Sequence, residues 1–285
     1  MTEVLDKKNI RKVFRDVQKH LAIAQLIRRF STNKEDIRKT ALKQVDLSNC
    51  QSILELGCAF GAFTEALKDK LHPEAKITGI DIISEYKPFF LEACRRAGYS
   101  GYFSSSGIDK IKKYPAGSFD LVICSYALYF FADMIPEIAR VLKKDGLFIT
   151  ITHSQAGMRE MVGIVKEILK QNNSLDDKQS LPIELIFEQF SAENGEKLLH
   201  PFFDRILAID FKNTLVFQPK EIGSFIDYFQ FKKSFFLMGT GTHNKTIINQ
   251  LMLELQDLAM KKNLVTMCKD DKIFICSQPF IPKET

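Results

Sequence analysis

Five residues pose a chemical question. Glu55, Gly57, Ala59 and Gly61 fall within the stretch ILELGCAFGAF, and Asp81 stands twenty residues beyond Gly61. Glycines take backbone conformations closed to other residues and let the chain approach a ligand closely. A dinucleotide-binding turn reads G-x-G-x-x-G/A, and its middle glycine admits the pyrophosphate. Here that middle position is Ala59, which counts against NAD or FAD. A ligand without phosphates is less affected. Asp81 supplies a second clue, because one carboxylate can accept from both hydroxyls of a ribose. Ile82 beside it can lie flat against a purine. Together these residues expect an adenosine that carries no phosphate chain.

The elements that position them follow from hydrophobic periodicity. SILEL (Ser52 to Leu56) reads as a strand, Phe63 to Leu71 as a helix, and KITGID (Lys76 to Asp81) as a second strand. A helix from Ser84 to Ala97 stops at Gly98, and a short strand spans Gly101 to Ser104. FDLVICS (Phe119 to Ser125) is the nearly continuous apolar run of a central strand covered on both faces. A helix ending at Gly146 leads into a strand at Leu147 to Thr152. Alternation of this kind implies an α/β fold with a doubly wound, mostly parallel, Rossmann-like sheet.

The flanks differ. Apolar positions from Ile10 to Phe30 recur at helical spacing, and TNKE (Thr32 to Glu35) has the capping-box spacing that would open a second helix. Beyond Gln155 the alternation breaks into helices at Met158 to Leu169 and Ile183 to Leu199, with strand-like RILAI and TLVF after them. This block is rich in phenylalanine (Phe187, Phe190, Phe202, Phe203, Phe211, Phe217), read mainly as packing. A helix at Lys245 to Lys261 and a hairpin, LVTMCKDDKIFICS, follow, with Lys269, Asp270 and Asp271 at the hairpin turn. The expected organisation is an N-terminal helical preface at 1–48, a ligand-binding core at 49–154 and 236–285, and an inserted helical and strand lid at 155–235.

Composition narrows the partners. Lys plus Arg total 40 against 35 Asp plus Glu, a dispersed excess of +5 that argues weakly for nucleic acid or for a membrane surface. The longest uncharged apolar stretch, Leu121 to Ala132, is too short to span a bilayer as a helix, and the opening residues show no secretory signal. The six cysteines form no CxxC pair, which reads as reduced thiols of a cytoplasmic protein, with no metal site. Cys58 and Cys124 read as small buried fillers rather than nucleophiles.

In order and spacing, ELGCAFG, GIDI, GSFDLVICSYALYF and ARVLKKDGLFIT, over Ser52 to Thr152, resemble the successive motifs of class I S-adenosylmethionine-dependent methyltransferases of the small-molecule, type 11/12-like kind. The resemblance implies S-adenosyl-L-methionine as cofactor. By position it places Glu55, Gly57, Cys58, Ala59 and Gly61 along the glycine loop, Asp81 on the ribose and Ile82 beside the adenine. The adenine edge would be read near Ser106, Gly107 and Ile108, with Ser125 and Tyr126 as the floor. The sequence departs from the pattern twice. Ala59 replaces the usual glycine, and Ile108 falls where the family has an acid, with Asp109 one place off.

A sulfonium already activates its methyl group, so the protein mainly supplies position, and a base only where the acceptor must lose a proton. Two residues follow the strands beyond which that base would lie, Tyr129 and His153. His153 has the better chemistry near neutral pH, and its alternative is to hydrogen-bond a loop. His200 and His243 rank below it. The segment CSYA lacks the Asn/Asp-Pro-Pro-Tyr/Phe tetrad of enzymes that methylate base or glutamine amines. The expected activity is methyl transfer to an O, N or C atom of a small, partly apolar molecule. The alternatives are a non-catalytic adenosylmethionine-binding scaffold or sensor and a nucleic-acid or protein methyltransferase. The oligomeric state is left open.

Overall fold

The computed structural model describes residues 6–176, 178–240, 245–262 and 264–280. The chain opens with α1 (Lys7–Phe14) and α2 (Val17–Phe30). One helix is expected across this stretch, but it breaks where the Asp16 carboxylate accepts from the Lys19 N–H at 3.0 Å and caps a new start. The next helix, α3 (Ile37–Leu42), likewise opens behind Asp36, not at the TNKE box. Asp36 accepts from the Arg38 N–H at 3.0 Å, while the Thr32 hydroxyl accepts from the Thr214 N–H instead.

The alternating segment then runs β1 (Ser52–Leu56), α4 (Ala62–Ala66), β2 (Lys76–Ile80), α5 (Lys87–Ala97), β3 (Ser100–Ser104), β4 (Phe119–Ser125), α6 (Ile135–Val141) and β5 (Leu142–His153). Gly98 closes α5 in the left-handed conformation, φ 88°, as its position predicts. Gly146 does not close α6. The helix ends at Val141, because Leu142 already pairs with Phe119, and an irregularity in the register precedes the Leu121–Leu147 pair.

Beyond it come α7 (Arg159–Gln171), α8 (Pro182–Gln189), α9 (Gly195–Leu199), β6 (Phe203–Phe211), β7 (Thr214–Phe217), α10 (Ile222–Leu237), α11 (Lys245–Lys262), β8 (Val265–Cys268) and β9 (Asp271–Pro279). The helix expected across 183–199 divides at Ser191, whose N–H and hydroxyl both donate to the Asn194 carboxamide oxygen. The expected terminal hairpin does not form either. β8 pairs with β7, whereas β9 pairs with β5 and β6. The intervening Asp270 is held by the Asn213 N–H at 2.9 Å and by Lys212 at 3.1 Å, so the chain changes sheets there.

The described residues form a seven-stranded sheet in the order β3-β2-β1-β4-β5-β9-β6, parallel from β3 to β5 and antiparallel at β9 and β6. Its central strands carry Ile53, Leu54, Leu121, Val122, Ile123 and Ile149, all buried, as expected of a sheet covered on both faces. Two compact units result. The sheet unit comprises Glu35–His153, Gln189–Phe211 and Asp271–Thr285. The other comprises Met1–Lys34, Ser154–Glu188 and Lys212–Asp270, with an interior rich in aromatic rings, among them Phe217, Phe225, Phe229, Phe235 and Phe236.

These boundaries depart from the expected ones. α3 belongs to the sheet unit and not to a preface, and β6 leaves the insertion because β9 supplies its backbone partners. The segment from 236 to 270 leaves the core with β8, whose partner is β7.

Candidate functional site

The glycine turn lies beyond the carboxyl end of β1. Gly57, Ala59 and Gly61 all adopt positive φ, at 63°, 43° and 79°. Gly57 donates its N–H to the Ile80 carbonyl at 2.8 Å, which ties the turn to the end of β2. A methyl group on Gly61 would stand 2.5 Å from the Ala93 side chain of α5, so this position is closed to larger residues by space as well as by backbone. Ala59 holds the left-handed conformation without a glycine's freedom.

Asp81 is joined to this turn. Its Oδ2 accepts from the Ala59 N–H at 3.0 Å and its Oδ1 from the Ile83 N–H at 2.9 Å. Sequence reading expects a ribose on Asp81, and within the protein this carboxylate braces the strained residue. Burial raises its carboxyl to about 6, although the backbone N–H groups of Ile83, Ala59 and Ile82 pull the other way. An ionised carboxylate has about four lone-pair sites, so acceptor capacity is left for hydroxyl groups.

Glu55 faces inward. It is buried, it accepts a short hydrogen bond from the Thr64 hydroxyl of α4, and burial raises its carboxyl to about 7. It fastens β1 to the helix that follows the turn. Cys58 is buried beneath the turn, and burial holds its thiol well above the ordinary range. The Cys94 thiol is raised to about 12 and that of Cys124 further still. All described cysteines are free, and Cys58, Cys94, Cys124, Cys268 and Cys276 are buried, in keeping with the reading of Cys58 and Cys124 as fillers.

Of the expected adenine-edge residues, Gly107 and Ile82 come together. A methyl group on Gly107 would lie 3.0 Å from Ile82 Cγ2. The Ser106 hydroxyl is linked to that of Ser104 at 3.1 Å, and Ile108 opens a 3₁₀ turn. Asp109 is exposed and pairs with Lys112 at 3.6 Å, turned to solvent. In the phenylalanine-rich block, Phe187, Phe190, Phe203, Phe211 and Phe217 are buried as packing.

A second cluster lies where β4 and β5 end. Ser125 closes β4, and Tyr126 follows it with φ 58°. His153 closes β5 and stands opposite Asp271, the first residue of β9. His153 Nδ1 is 2.7 Å from Asp271 Oδ1, and the Tyr126 hydroxyl donates to Asp271 Oδ2 at 2.6 Å. The Tyr126 and Tyr129 rings stack on the imidazole with centroids at 4.7 and 6.0 Å. Sequence reading placed Asp271 in a hairpin turn and missed it here. Only the antiparallel register of β9 brings it to His153, and no local motif announces that register. His200 is exposed and pairs with Glu196, and His243 lies outside the described residues.

Residues 54–150 match the family described as a methyltransferase domain. The chain is 26% identical over 141 residues to the uncharacterized methyltransferase C70.08c of Schizosaccharomyces pombe, across 47% of this chain and 52% of that one. It is 27% identical over 104 residues to the methyltransferase YcgJ of Bacillus subtilis, across 35% of this chain and 40% of that one. The chain thus spans about half or less of each curated relative's length. The YcgJ structure superposes with a TM-score of 0.51 at 17% identity, covering 85% of this chain and 97% of that one. Phosphoethanolamine N-methyltransferase 2 of Haemonchus contortus, in complex with S-adenosyl-L-methionine, superposes with a TM-score of 0.53 at 11% identity, covering 98% and 61%. Strand order, glycine turn and family match agree: residues 54–150 match a methyltransferase domain, and the chain shares the Rossmann-like fold of YcgJ and of the adenosylmethionine-bound Haemonchus enzyme.

Proposed function

We propose that this protein binds S-adenosyl-L-methionine and transfers its methyl group to an O, N or C atom of a small, partly apolar molecule. The observation that carries the reading is the bond between Ala59 N–H and Asp81 Oδ2, which sets a glycine turn and an acid side by side at the carboxyl ends of β1 and β2. Ligands of doubly wound sheets bind at that end. Gly57, Cys58, Ala59 and Gly61 would cradle the methionine half and Asp81 the ribose, with Glu55 fixing the turn from below. Ile82, Ser106, Gly107 and Ile108 would border the adenine, and Ser125 and Tyr126 form the floor. Cofactor-bound proteins with this fold support the choice of cofactor.

The cofactor supplies a methyl group on a positively charged sulfur, so the chain's own task is orientation and the exclusion of water. In-line placement can contribute about 7–11 kcal/mol. His153 would take the acceptor's proton, with Tyr129 the second candidate for that role. Among the described residues no helix is long and apolar enough to cross a membrane, and no group of His, Cys, Asp and Glu could hold a metal ion. Reduced thiols fit the cytoplasm.

Thermal unfolding tests the reading. A ligand at a hundredfold excess over its dissociation constant stabilises the folded form by about 2.7 kcal/mol. S-adenosyl-L-methionine should raise the melting temperature, NAD should not, and Asp81→Ala should remove most of the shift. Stabilisation by NAD alone would overturn the assignment.

A further inference from the structure

At the junction of β5 and β9, one carboxylate holds two side chains. Asp271 Oδ1 meets His153 Nδ1 at 2.7 Å while Oδ2 accepts from the Tyr126 hydroxyl at 2.6 Å. The His153 and Asp271 side chains are only 8% and 4% exposed, so water competes little for these bonds. Tyr126 reaches the carboxylate from a left-handed backbone that a bulky residue rarely adopts. Such strain persists only where surrounding bonds fix it. Here the Tyr126 N–H donates to the Ile151 carbonyl at 2.8 Å, and its ring stacks on the imidazole.

We propose that Asp271 is a positioning residue for methyl transfer: braced by Tyr126, it takes the Nδ1 proton of His153 as a hydrogen bond and so makes Nε2 the nitrogen that receives the acceptor's proton. The proposal rests on the reading of His153 as the base. An ionised carboxylate only accepts hydrogen bonds, so the nitrogen facing it carries the proton. The acceptor this implies is a heteroatom that holds a proton until it attacks, such as a hydroxyl, phenol or thiol. Its lone pair forms the bond to the methyl carbon, and the carbon–sulfur bond breaks with its electron pair left on sulfur. The proton passes to Nε2, and the imidazolium so formed lies beside the Asp271 carboxylate, which favours its charge.

The other groups around the pair fit an orienting role. Burial and the Asp271 carboxylate hold the Tyr126 hydroxyl well above its ordinary pKa, so it remains a donor. The Arg38 charge on α3 bears on Tyr126 but is itself paired with Asp36 through two bonds of 2.8 Å. Among the described residues no third donor joins His153 and Asp271 to form a metal-binding group.

The test is a long-range proton–nitrogen correlation spectrum of the full chain labelled with ¹⁵N-histidine, with His153 identified by its loss in His153→Gln. The wild-type chain should show His153 protonated at Nδ1. Asp271→Asn should lose that pattern, and Tyr126→Phe should keep it. Thermal unfolding with and without S-adenosyl-L-methionine is measured on the wild-type and Asp271→Asn samples, and both should retain the cofactor's shift. A wild-type His153 protonated at Nε2, or a tautomer indifferent to Asp271→Asn, overturns the role of Asp271. A wild-type chain that S-adenosyl-L-methionine does not stabilise overturns the cofactor reading instead. Because the first measurement is on the wild-type chain, the proposal stands or falls even if a variant does not fold.

Discussion

Glu55 shows how one residue's identity can be legible while its work is not. Its place before the glycines marks the motif, yet its carboxyl is buried against Thr64 and faces the protein interior. Its folded value, about 7, exceeds the unfolded value of 4.5, because burial outweighs the Thr64 bond and the charge of Arg38. The folded state therefore holds this proton more tightly, and stability falls as pH rises from about 4.5 to about 7. At one pKa unit per 1.36 kcal/mol, the loss is about 3 kcal/mol at most. Glu55→Gln should flatten that part of the stability–pH curve, measured by urea unfolding across the interval. An equally steep curve in the variant would show that Glu55 does not titrate there. Asp81 adds a slope of the same sign between its ordinary 3.8 and about 6.

At the scale of elements, the turn between β1 and α4 carries a cost that the sequence announced only as a missing glycine. Left-handed backbone costs a residue with a side chain about 1–2 kcal/mol, and glycine's extra freedom when unfolded returns roughly 0.4–1 kcal/mol of that. Ala59→Gly should therefore stabilise the protein by roughly 0.5–1 kcal/mol, seen as a higher denaturant midpoint at unchanged slope. A lower midpoint would mean that the alanine methyl makes contacts worth more than the strain. The central parallel strands were legible because β1, β4 and the latter part of β5 are apolar runs next to a turn signal: SILEL is β1 to the residue. Helix ends were less so. Asp16, Asp36 and Asn194 each offer the backbone a bond that outcompetes helix continuation, and periodicity does not register such side-chain caps. The partners of β9 were not legible at all, since antiparallel pairing with β5 and β6 depends on contacts remote in sequence.

For the whole molecule, the excess of 40 basic over 35 acidic residues is dispersed, and basic side chains such as Arg95, Lys143 and Lys272 are engaged with the carboxylates of Glu92, Asp120 and Asp210. A protein that neutralises 6–10 phosphates loses about 10³–10⁵ in affinity between 50 and 200 mM salt. With so small and dispersed a basic excess, RNA and DNA should bind weakly even at low salt, and neither should take up labelled methyl. Incorporation of methyl into bulk RNA would reject the small-molecule reading. The glycine turn and Asp81 were visible from spacing alone, since both belong to one βαβ unit. The Tyr126–Asp271–His153 cluster draws on β4, β5 and β9 and exists only in the assembled sheet.

The placement of β9 also bears on how the protein is made. It is the last of the seven strands to leave the ribosome, yet it lies between β5 and β6. During synthesis β3, β2, β1, β4 and β5 can pair among themselves, while β6 waits for the whole stretch from Phe211 to Asp271 before it has a neighbour. The nascent chain thus presents β5 as an open edge, a template for pairing with other chains. A polypeptide interrupted before Asp271 holds every residue of the glycine turn but lacks the clamp on His153. Translation to β9 is what joins the glycine turn and the His153 clamp in one chain; on the reading proposed above, a copy cut short before it holds the cofactor-side residues without the carboxylate that would position the base.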